Sequence, residues 1–327
     1  MKQTLSDNLS GFFARESQAT GGLAILPVFR KTAPQRQYIS LREALKQGAI
    51  EISEVSEGGS VPNLKVLNRG KIPVLLLDGE ELRGAKQNRV LNASVLVAGE
   101  SELVIPVSCT EAGRWSYRSS HFEESGNVLS HQLKCSKMAD VSLNLKERGE
   151  FRSNQSRVWD GIDEMQAEHG IRSSTAAMED VYLGRGKDLD ELCASFPLLE
   201  GQCGILAEIG GHFSGLDFVG DPAVWKDIHA KIIRSYAIDV AGRNLPRSEC
   251  PEARLEQLFK RVQEGSVSGF RSVGLGEDLR LEGEALIGSA LFWETELVHL
   301  SAYPLNLVRG GDEYHSPRHL HPFERTR

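Results

Sequence analysis

Short apolar segments separated by tight turns constrain the fold of this chain more than any other feature. Between residues 50 and 107 apolar residues alternate with polar ones or form short runs, interrupted by the turn sequences Asn68-Arg69-Gly70, Asp78-Gly79 and Ala98-Gly99. Such patterns are typical of β-strands, and a short turn joins neighbouring strands antiparallel because a parallel pair needs a long crossover. The first half is therefore predicted to form an antiparallel, meander-like or barrel-like sheet.

Helical patterns are prominent in the second half of the chain. Residues 138–168 have helical periodicity, and Asp221-Pro222 places an N-cap residue and a proline before apolar residues that recur on one face as far as Gly242. The segments 204–211 and 213–219 have the pattern of a β-hairpin. We therefore predict an α+β protein whose second half contains helices and a second, small sheet.

Changes in pattern along the chain suggest four segments. A polar start precedes the first apolar strand, and the final residues are again polar. The predicted segments are an N-terminal arm (1–22), an α+β domain (23–241) that can form two lobes (23–135 and 136–241), a C-terminal helix-plus-strand extension (242–308) and a polar tail (309–327).

Charge and composition exclude several classes of protein. The 45 acidic and 38 basic side chains give a formal charge of −7, and no run of Lys or Arg suggests a nucleic-acid-binding face. No apolar run approaches the roughly 20 residues that a membrane helix needs, and the first residues do not resemble a secretion signal. The five cysteines are widely spaced and include no Cys-x-x-Cys pair. We expect a cytoplasmic protein with reduced thiols that binds neither nucleic acid nor membrane.

The densest group of polar residues follows the predicted strand that ends at Leu77. Glu80 and Glu81 can accept hydrogen bonds from ribose hydroxyl groups, bind a divalent cation or act as a base. Cationic and amide side chains that suit phosphate or carboxylate groups follow them: Lys86, Gln87, Asn88 and Arg89. The alternative interpretation is a charged hairpin on the surface.

A second polar group follows the strand that ends at Val107. It contains Cys109, Glu111, Arg114 and Trp115. A thiolate phosphatase needs five residues between its cysteine and arginine, whereas four separate Cys109 from Arg114, so we do not expect Cys109 to be a nucleophile. Glu111 and Arg114 are predicted to contact a ligand, and the alternative is a buried cysteine beside a surface ion pair.

No metal site is predicted from the sequence. His315, His319 and His321 have spacing that could suit a metal, but they lie in the predicted polar tail. The chain contains no phosphate-binding P-loop and no His-Glu-x-x-His motif. The sequence also identifies no cofactor.

Both polar groups belong to longer motifs that match a known family. These motifs span residues 79–89 and 105–115, and shorter matches follow at Val158-Trp159, Ser173-x-Thr175, Gly204–Gly211, Gly215-Leu216-Asp217 and Ser235-Tyr236-Ala237-x-Asp239. Over residues 23–241 the chain resembles the ADP-ribosylglycohydrolase and rhodanese-phosphatase-superfamily associated protein domain family of prokaryotes. The family's name implies a link to NAD and ADP-ribose metabolism.

The candidate residues and the resemblance lead to two hypotheses of function. The first is an enzyme that acts on a phosphorylated, ribose-containing metabolite of the ADP-ribose type. Its proposed catalytic residues are Glu80, Glu81 and Glu111, and its proposed ligand-binding residues are Lys86, Gln87, Asn88, Arg89, Arg114 and Trp115. The second is a non-catalytic binding module or partner subunit that recognises such a metabolite or an ADP-ribosylated protein. Substrate, reaction and oligomeric state are left open.

Overall fold

A computed structural model describes residues 1–35, 37–56 and 62–305. Over these ranges the helices are α1 (Lys2–Leu9), α2 (Leu41–Lys46), α3 (His131–Arg148), α4 (Gln155–His169), α5 (Met178–Gly184), α6 (Gly186–Ala194), α7 (Pro222–Ala237) and α8 (Ala253–Glu264). The strands of the first half are β1 (Phe12–Ala14), β2 (Gln18–Thr20), β3 (Leu23–Arg30), β4 (Ile39–Ser40), β5 (Ile50–Glu54), β6 (Asn63–Asn68), β7 (Val74–Leu76), β8 (Glu80–Gly84), β9 (Arg89–Leu91), β10 (Val95–Val97), β11 (Ser101–Cys109) and β12 (Phe122–Val128). Those of the second half are β13 (Gln202–Ile209), β14 (His212–Val219), β15 (Ser266–Arg271), β16 (Glu277–Gly283), β17 (Leu286–Trp293) and β18 (Glu296–Pro304).

Strands β4 to β12 form the antiparallel, curled part of the structure that the alternating pattern predicts. A six-stranded sheet has the order β12-β8-β9-β11-β6-β5, and a three-stranded sheet has the order β10-β7-β4. All described pairs in these two sheets are antiparallel except the short β4–β7 pair. Apolar side chains of both sheets and of α2 form one buried cluster. The α+β fold class is therefore confirmed.

The largest sheet corrects the predicted division into halves. Its nine strands have the order β1-β3-β13-β14-β18-β17-β16-β15, and β2 also pairs with β3. Leu26 of β3 pairs with Leu206 of β13, so this sheet joins the start of the chain to its second half and is not small. Periodicity identifies each strand but does not identify a partner this far away in the sequence.

Local sequence signals agree with the helix and turn boundaries. The Ser40 side chain accepts a hydrogen bond from the Glu43 N–H and caps α2, and Asp221 caps α7 with proline at the first helical position. The hairpin between β13 and β14 turns at Gly210-Gly211. The predicted helical region 138–168 is two helices, because Gly149 adopts a left-handed conformation (φ +70°) and ends α3.

The nine-stranded sheet and the core cross the predicted segment boundaries. Residues 1–22 form α1, β1 and β2, and the buried side chains of Leu5 and Leu9 belong to the same cluster as residues of β16 to β18. β14 pairs with β18, so the sheet is continuous across residues 241 and 242. The domain boundaries stay predictions, and the tail at 309–327 lies outside the described residues.

Helix α3 carries two buried lysines into the protein interior. Lys134 Nζ lies 2.6 Å from Asp217 Oδ1, and Lys137 pairs with Asp78 in the turn between β7 and β8. Burial disfavours the charged form of Asp217, but its polar neighbours, with the Lys134 ammonium first among them, together hold the pKa of that carboxyl below its ordinary value. These pairs connect α3 to the β7–β8 turn and to β14.

No helix in the described ranges is both long enough and apolar enough to cross a membrane.

Candidate functional site

A cleft of about 540 Å³ lies beside the β8–β9 hairpin, the loop after β11 and the first turn of α5. Its volume falls in the range of roughly 300–1,000 Å³ that is typical of small-molecule sites. Most of its lining is polar: Arg83, Gly84, Asn88, Glu111, Arg114, Arg118, Ser119, Glu123, Ser174, Thr175, Ala177, Glu179, Asp180 and Leu183.

Backbone contacts join the loop after β11 to the segment that leads into α5. Glu111 forms an isolated antiparallel bridge with Ala177, and the Gly113 N–H donates to the Thr175 carbonyl at 2.8 Å. Gly113 allows this close approach, since a Cβ atom there would lie 2.9 Å from Thr175 Cα. The two segments therefore form one wall.

Glu111 and Arg114 form a fork-like ion pair in this wall. Arg114 donates from Nε to Glu111 Oε1 at 2.9 Å and from Nη2 to Oε2 at 2.6 Å. Its Nη1 also donates to the carbonyls of Ala85 and Ser116. Burial disfavours the charged form of Glu111, but the Arg114 guanidinium lowers the pKa of that carboxyl below its ordinary value. Glu111 is therefore a fixed carboxylate rather than a proton donor.

Arg83 and Asn88 hold a second carboxylate in the cleft, that of Glu179. Arg83 Nη1 lies 3.0 Å from Glu179 Oε1, and Asn88 Nδ2 donates to Glu179 Oε2 at 3.3 Å. The next residue, Asp180, accepts a hydrogen bond of 2.5 Å from the Ser173 hydroxyl. Both carboxylates thus have defined orientations at the start of α5.

Arg118 differs from the two other arginines that line the cleft. Arg83 pairs with Glu179 and Arg114 pairs with Glu111, whereas the exposed Arg118 side chain forms no ion pair with any residue in the described ranges. Its backbone N–H donates to the Ala85 carbonyl, which fixes the position of its loop. Arg118 is therefore available to an anionic ligand.

Two of the predicted catalytic residues do not line the cleft. Successive side chains of a strand point to opposite faces, so Glu80 and Glu81 diverge. Glu80 accepts a hydrogen bond from the Leu77 N–H and pairs with the buried Lys231 of α7. Glu81 is fully buried and lies close enough to Glu179 to interact with it electrostatically.

Glu81 is held in an environment that favours its neutral form. Burial raises the pKa of Glu81 to about 7, and the nearby Glu179 carboxylate adds to this effect. The polar side chains of Ser125, Thr110 and Asn127 favour the charged carboxylate and so oppose this rise in pKa. Glu81 is therefore partly protonated near neutral pH.

Asn88, Glu111 and Arg114 are the predicted site residues that line the cleft, and the remaining ligand-binding candidates form a separate cluster. In that cluster the buried Arg89 donates from Nη1 to Gln87 Oε1 at 2.8 Å and to Cys109 Sγ at 3.0 Å. The Trp115 ring lies 5.8 Å from the Arg89 guanidinium and 5.3 Å from Lys86 Nζ.

Cys109 is buried beside Arg89. Burial raises the pKa of its thiol to about 11, although the Arg89 guanidinium opposes the shift. A thiol of this kind is a poor nucleophile at neutral pH, in agreement with the unsuitable spacing between Cys109 and Arg114.

One known protein family matches most of the chain. Residues 13–303 match the family model of the ARG and Rhodanese-Phosphatase-superfamily-associated Protein domain. The chain belongs to this family. The match extends beyond residues 23–241 on both sides, which agrees with a sheet that includes strands from both ends. No curated protein and no solved structure matches the chain.

Within this family member, sequence reasoning missed five charged residues that line the cleft: Arg83, Arg118, Glu123, Glu179 and Asp180. Arg83 lies inside the 79–89 motif, and Arg118 follows the 105–115 motif by three residues. The Ser173-x-Thr175 motif was a signal for the acidic pair, because the Ser173 hydroxyl accepts from the Ala177 N–H just before α5. In the described ranges no group of three or more His, Cys, Asp or Glu residues is arranged to hold a metal ion.

Proposed function

We propose that the cleft binds a phosphorylated, ribose-containing metabolite of the ADP-ribose type and that the protein acts on it as an enzyme. The presence of Arg118 in the same cleft as the acidic start of α5 carries this proposal. A guanidinium without a protein carboxylate suits a phosphate, and carboxylates with fixed orientations suit the hydroxyl groups of a ribose. The Ser174 and Thr175 hydroxyls add further partners for a polyhydroxylated ligand.

The charge balance of the cleft limits how many phosphate groups of the ligand its arginines can contact directly. Three arginines line it together with four acidic residues: Glu111, Glu123, Glu179 and Asp180. Because two of these arginines are paired to protein carboxylates, we assign one phosphate to Arg118 and the adjacent Ser119. The remaining surface accepts the sugar.

We assign the reacting centre to Glu179. Unlike Glu80 and Glu81 it lines the cleft, and unlike Glu111 it is not held by a fork-like pair with one arginine. A carboxylate held in place by Arg83 and Asn88 can orient a water molecule or a substrate hydroxyl as a general base. The family's name, which associates it with ARG and the rhodanese-phosphatase superfamily, supports the substrate class only by association.

The second candidate function is a binding module for the same metabolite or for an ADP-ribosylated protein. Two observations favour it. Apart from the exposed Glu123, the carboxylates that line the cleft are held by hydrogen bonds within the protein. Glu81 is fully buried and has no surface in the cleft. Such a site can recognise a ligand without converting it.

A panel of ligands followed by product analysis distinguishes the two functions. ADP-ribose, ADP, ribose 5-phosphate and nucleotide sugars are screened by thermal shift, and the compounds that bind are incubated with protein and analysed by mass spectrometry. The enzyme proposal predicts product with the wild-type protein, and binding without product with Glu179→Gln. Binding without product in the wild type supports the module. No thermal shift with any compound contradicts both functions.

A further inference from the structure

Glu81 is a fully buried carboxyl group that lies behind the cleft rather than in it. It shares a face of β8 with Arg83, two residues further along the strand, but Arg83 pairs with Glu179 instead. Glu81 Oε2 has no hydrogen-bond partner of good geometry in the part of the chain that the structure describes. Burying a charged oxygen without a hydrogen-bond partner costs free energy of folding. Protonation of the carboxyl group removes the charge and so lowers this cost.

Thr110 connects Glu81 to the wall of the cleft. Its hydroxyl donates to Glu81 Oε1 at 2.9 Å, and its carbonyl accepts from the Met178 N–H at 3.0 Å. Met178 is the first residue of α5 and directly precedes Glu179. One residue therefore contacts both the buried carboxyl group and the element that positions the carboxylate in the cleft.

The groups that face Glu81 provide no compensating positive charge. Glu179 and Tyr182 approach from α5, and neutral hydroxyl and amide groups approach from Thr110, Ser125 and Asn127. Glu81 forms no ion pair within the described ranges. An anion bound in the cleft adds negative charge on the side where Glu179 already lies, and this further disfavours ionisation of Glu81.

We propose that Glu81 stores a proton behind the cleft and that binding of an anionic ligand takes up a proton from solvent onto its carboxylate. The storage of the proton rests on Glu81 and its neighbours alone, and the uptake on binding also rests on the proposed function. Stated as a balance, the ionised carboxylate gains one proton from the buffer, and no other bond forms or breaks. Ligand affinity therefore falls as pH rises above neutrality.

The storage of the proton is tested without any ligand. Melting temperatures of the wild type and of Glu81→Gln are measured from pH 4.5 to 8.5, with the exposed Glu200→Gln as the matched control. A carboxyl group whose pKa is higher in the folded than in the unfolded protein stabilises the fold at low pH. This contribution is lost as pH rises towards 7. The Tm of Glu81→Gln minus that of the wild type should rise up to about pH 7 and then level off. A constant difference, like that of Glu200→Gln, overturns the proposal.

Thr110→Val provides a second variant of nearly the same size. It removes the hydroxyl donor to Glu81 Oε1, which stabilises the charged form. The pH at which the Glu81 contribution disappears should therefore move upward. An unchanged midpoint overturns the proposal even if Glu81→Gln does not fold.

Calorimetry tests the uptake of the proton, with ADP-ribose as the probe. Binding enthalpies at pH 7.5 are measured in buffers of different ionisation enthalpy. The slope of binding enthalpy against buffer ionisation enthalpy gives the number of protons exchanged. The wild type should take up a measurable fraction of one proton and Glu81→Gln none. Equal proton uptake by both proteins overturns the linkage. If ADP-ribose binds to neither, the proposed ligand class fails, and the melting curves alone decide whether Glu81 stores a proton.

Discussion

At the scale of single residues, the arginines of the cleft have different tasks. Arg114 is nearly buried, and its guanidinium donates to one carboxylate and to backbone carbonyls of its own loop and of the hairpin. Arg118 is exposed and has no such partners within the described ranges. The sequence alone cannot separate these roles, because both arginines have the same chemistry and lie four residues apart.

Arg114→Gln should destabilise the protein by roughly 3–5 kcal/mol, because it leaves the Glu111 carboxylate buried without its cation. Arg118→Gln is the matched control and should change the free energy of unfolding by no more than about 0.5 kcal/mol. Urea unfolding at pH 7 measures both values. Equal stability of the two variants would show that Arg114 is not part of the scaffold.

At the scale of elements, the cleft depends on how closely the loop after β11 packs against the segment before α5. Gly113 and Thr175 are in backbone contact, and Ala176 between Thr175 and Ala177 has a left-handed conformation (φ +51°). Ala85 of the β8–β9 hairpin also has a positive φ of 39°. Non-glycine residues with positive φ carry strain and persist where the surroundings hold them, often at functional sites.

Gly113→Ala should disturb this wall and little else. The added methyl group would lie 2.9 Å from Thr175 Cα, and relief of this contact should cost roughly 1–3 kcal/mol of stability and weaken ligand binding. The control is Gly186→Ala, where an added Cβ has no neighbour within 4 Å. Thermal unfolding and ADP-ribose binding are measured on both. If Gly113→Ala matches the control in stability, the close packing described for this wall is wrong.

Local elements were predictable from the sequence, and their arrangement in space was not. The Asp221 cap and the turn of the hairpin between 204–211 and 213–219 each depend on neighbours within a few residues, and their predicted roles are confirmed. The site shows the same difference between local sequence and arrangement in space. The motif residues Asn88 and Glu111 line the cleft, but Glu179 reaches it through contacts that join β8 and β11 to α5.

Other candidates from the same motif lie away from the cleft. Arg89 and Lys86 lie in the same short motif as Asn88, yet their side chains lie near Cys109 and the Trp115 ring. The order of residues specifies that side chains alternate along a strand, but not which face of the sheet meets the cleft.

At the scale of the whole molecule, the nine-stranded sheet joins the two ends of the chain. β18 pairs with β14 in the interior of this sheet, and its Ser301 and Tyr303 hydroxyls donate to the buried Asp217. The C-terminal strands are therefore part of the core that supports Lys134 and, through α3, the β7–β8 turn.

A chain that ends at residue 241 should not fold cooperatively. It lacks β15 to β18, so β14 becomes an unpaired edge and much of the apolar cluster on that side is exposed. Urea unfolding followed by far-UV circular dichroism compares residues 1–241 with residues 1–305. A cooperative transition of the shorter chain with a denaturant dependence appropriate to its length would contradict this prediction.

The most direct test of the proposed site is the affinity for ADP-ribose of the wild type, Arg118→Gln and Arg271→Gln, measured by calorimetry at one salt concentration. Arg118 lines the cleft, whereas Arg271 is exposed on β15 at an edge of the nine-stranded sheet. Loss of a charge-assisted hydrogen bond of about 1.5–3 kcal/mol predicts that Arg118→Gln binds at least tenfold more weakly than the wild type, with Arg271→Gln unchanged. Equal affinities of all three proteins, or no binding to the wild type, would contradict the assignment of this cleft to a phosphorylated ribose.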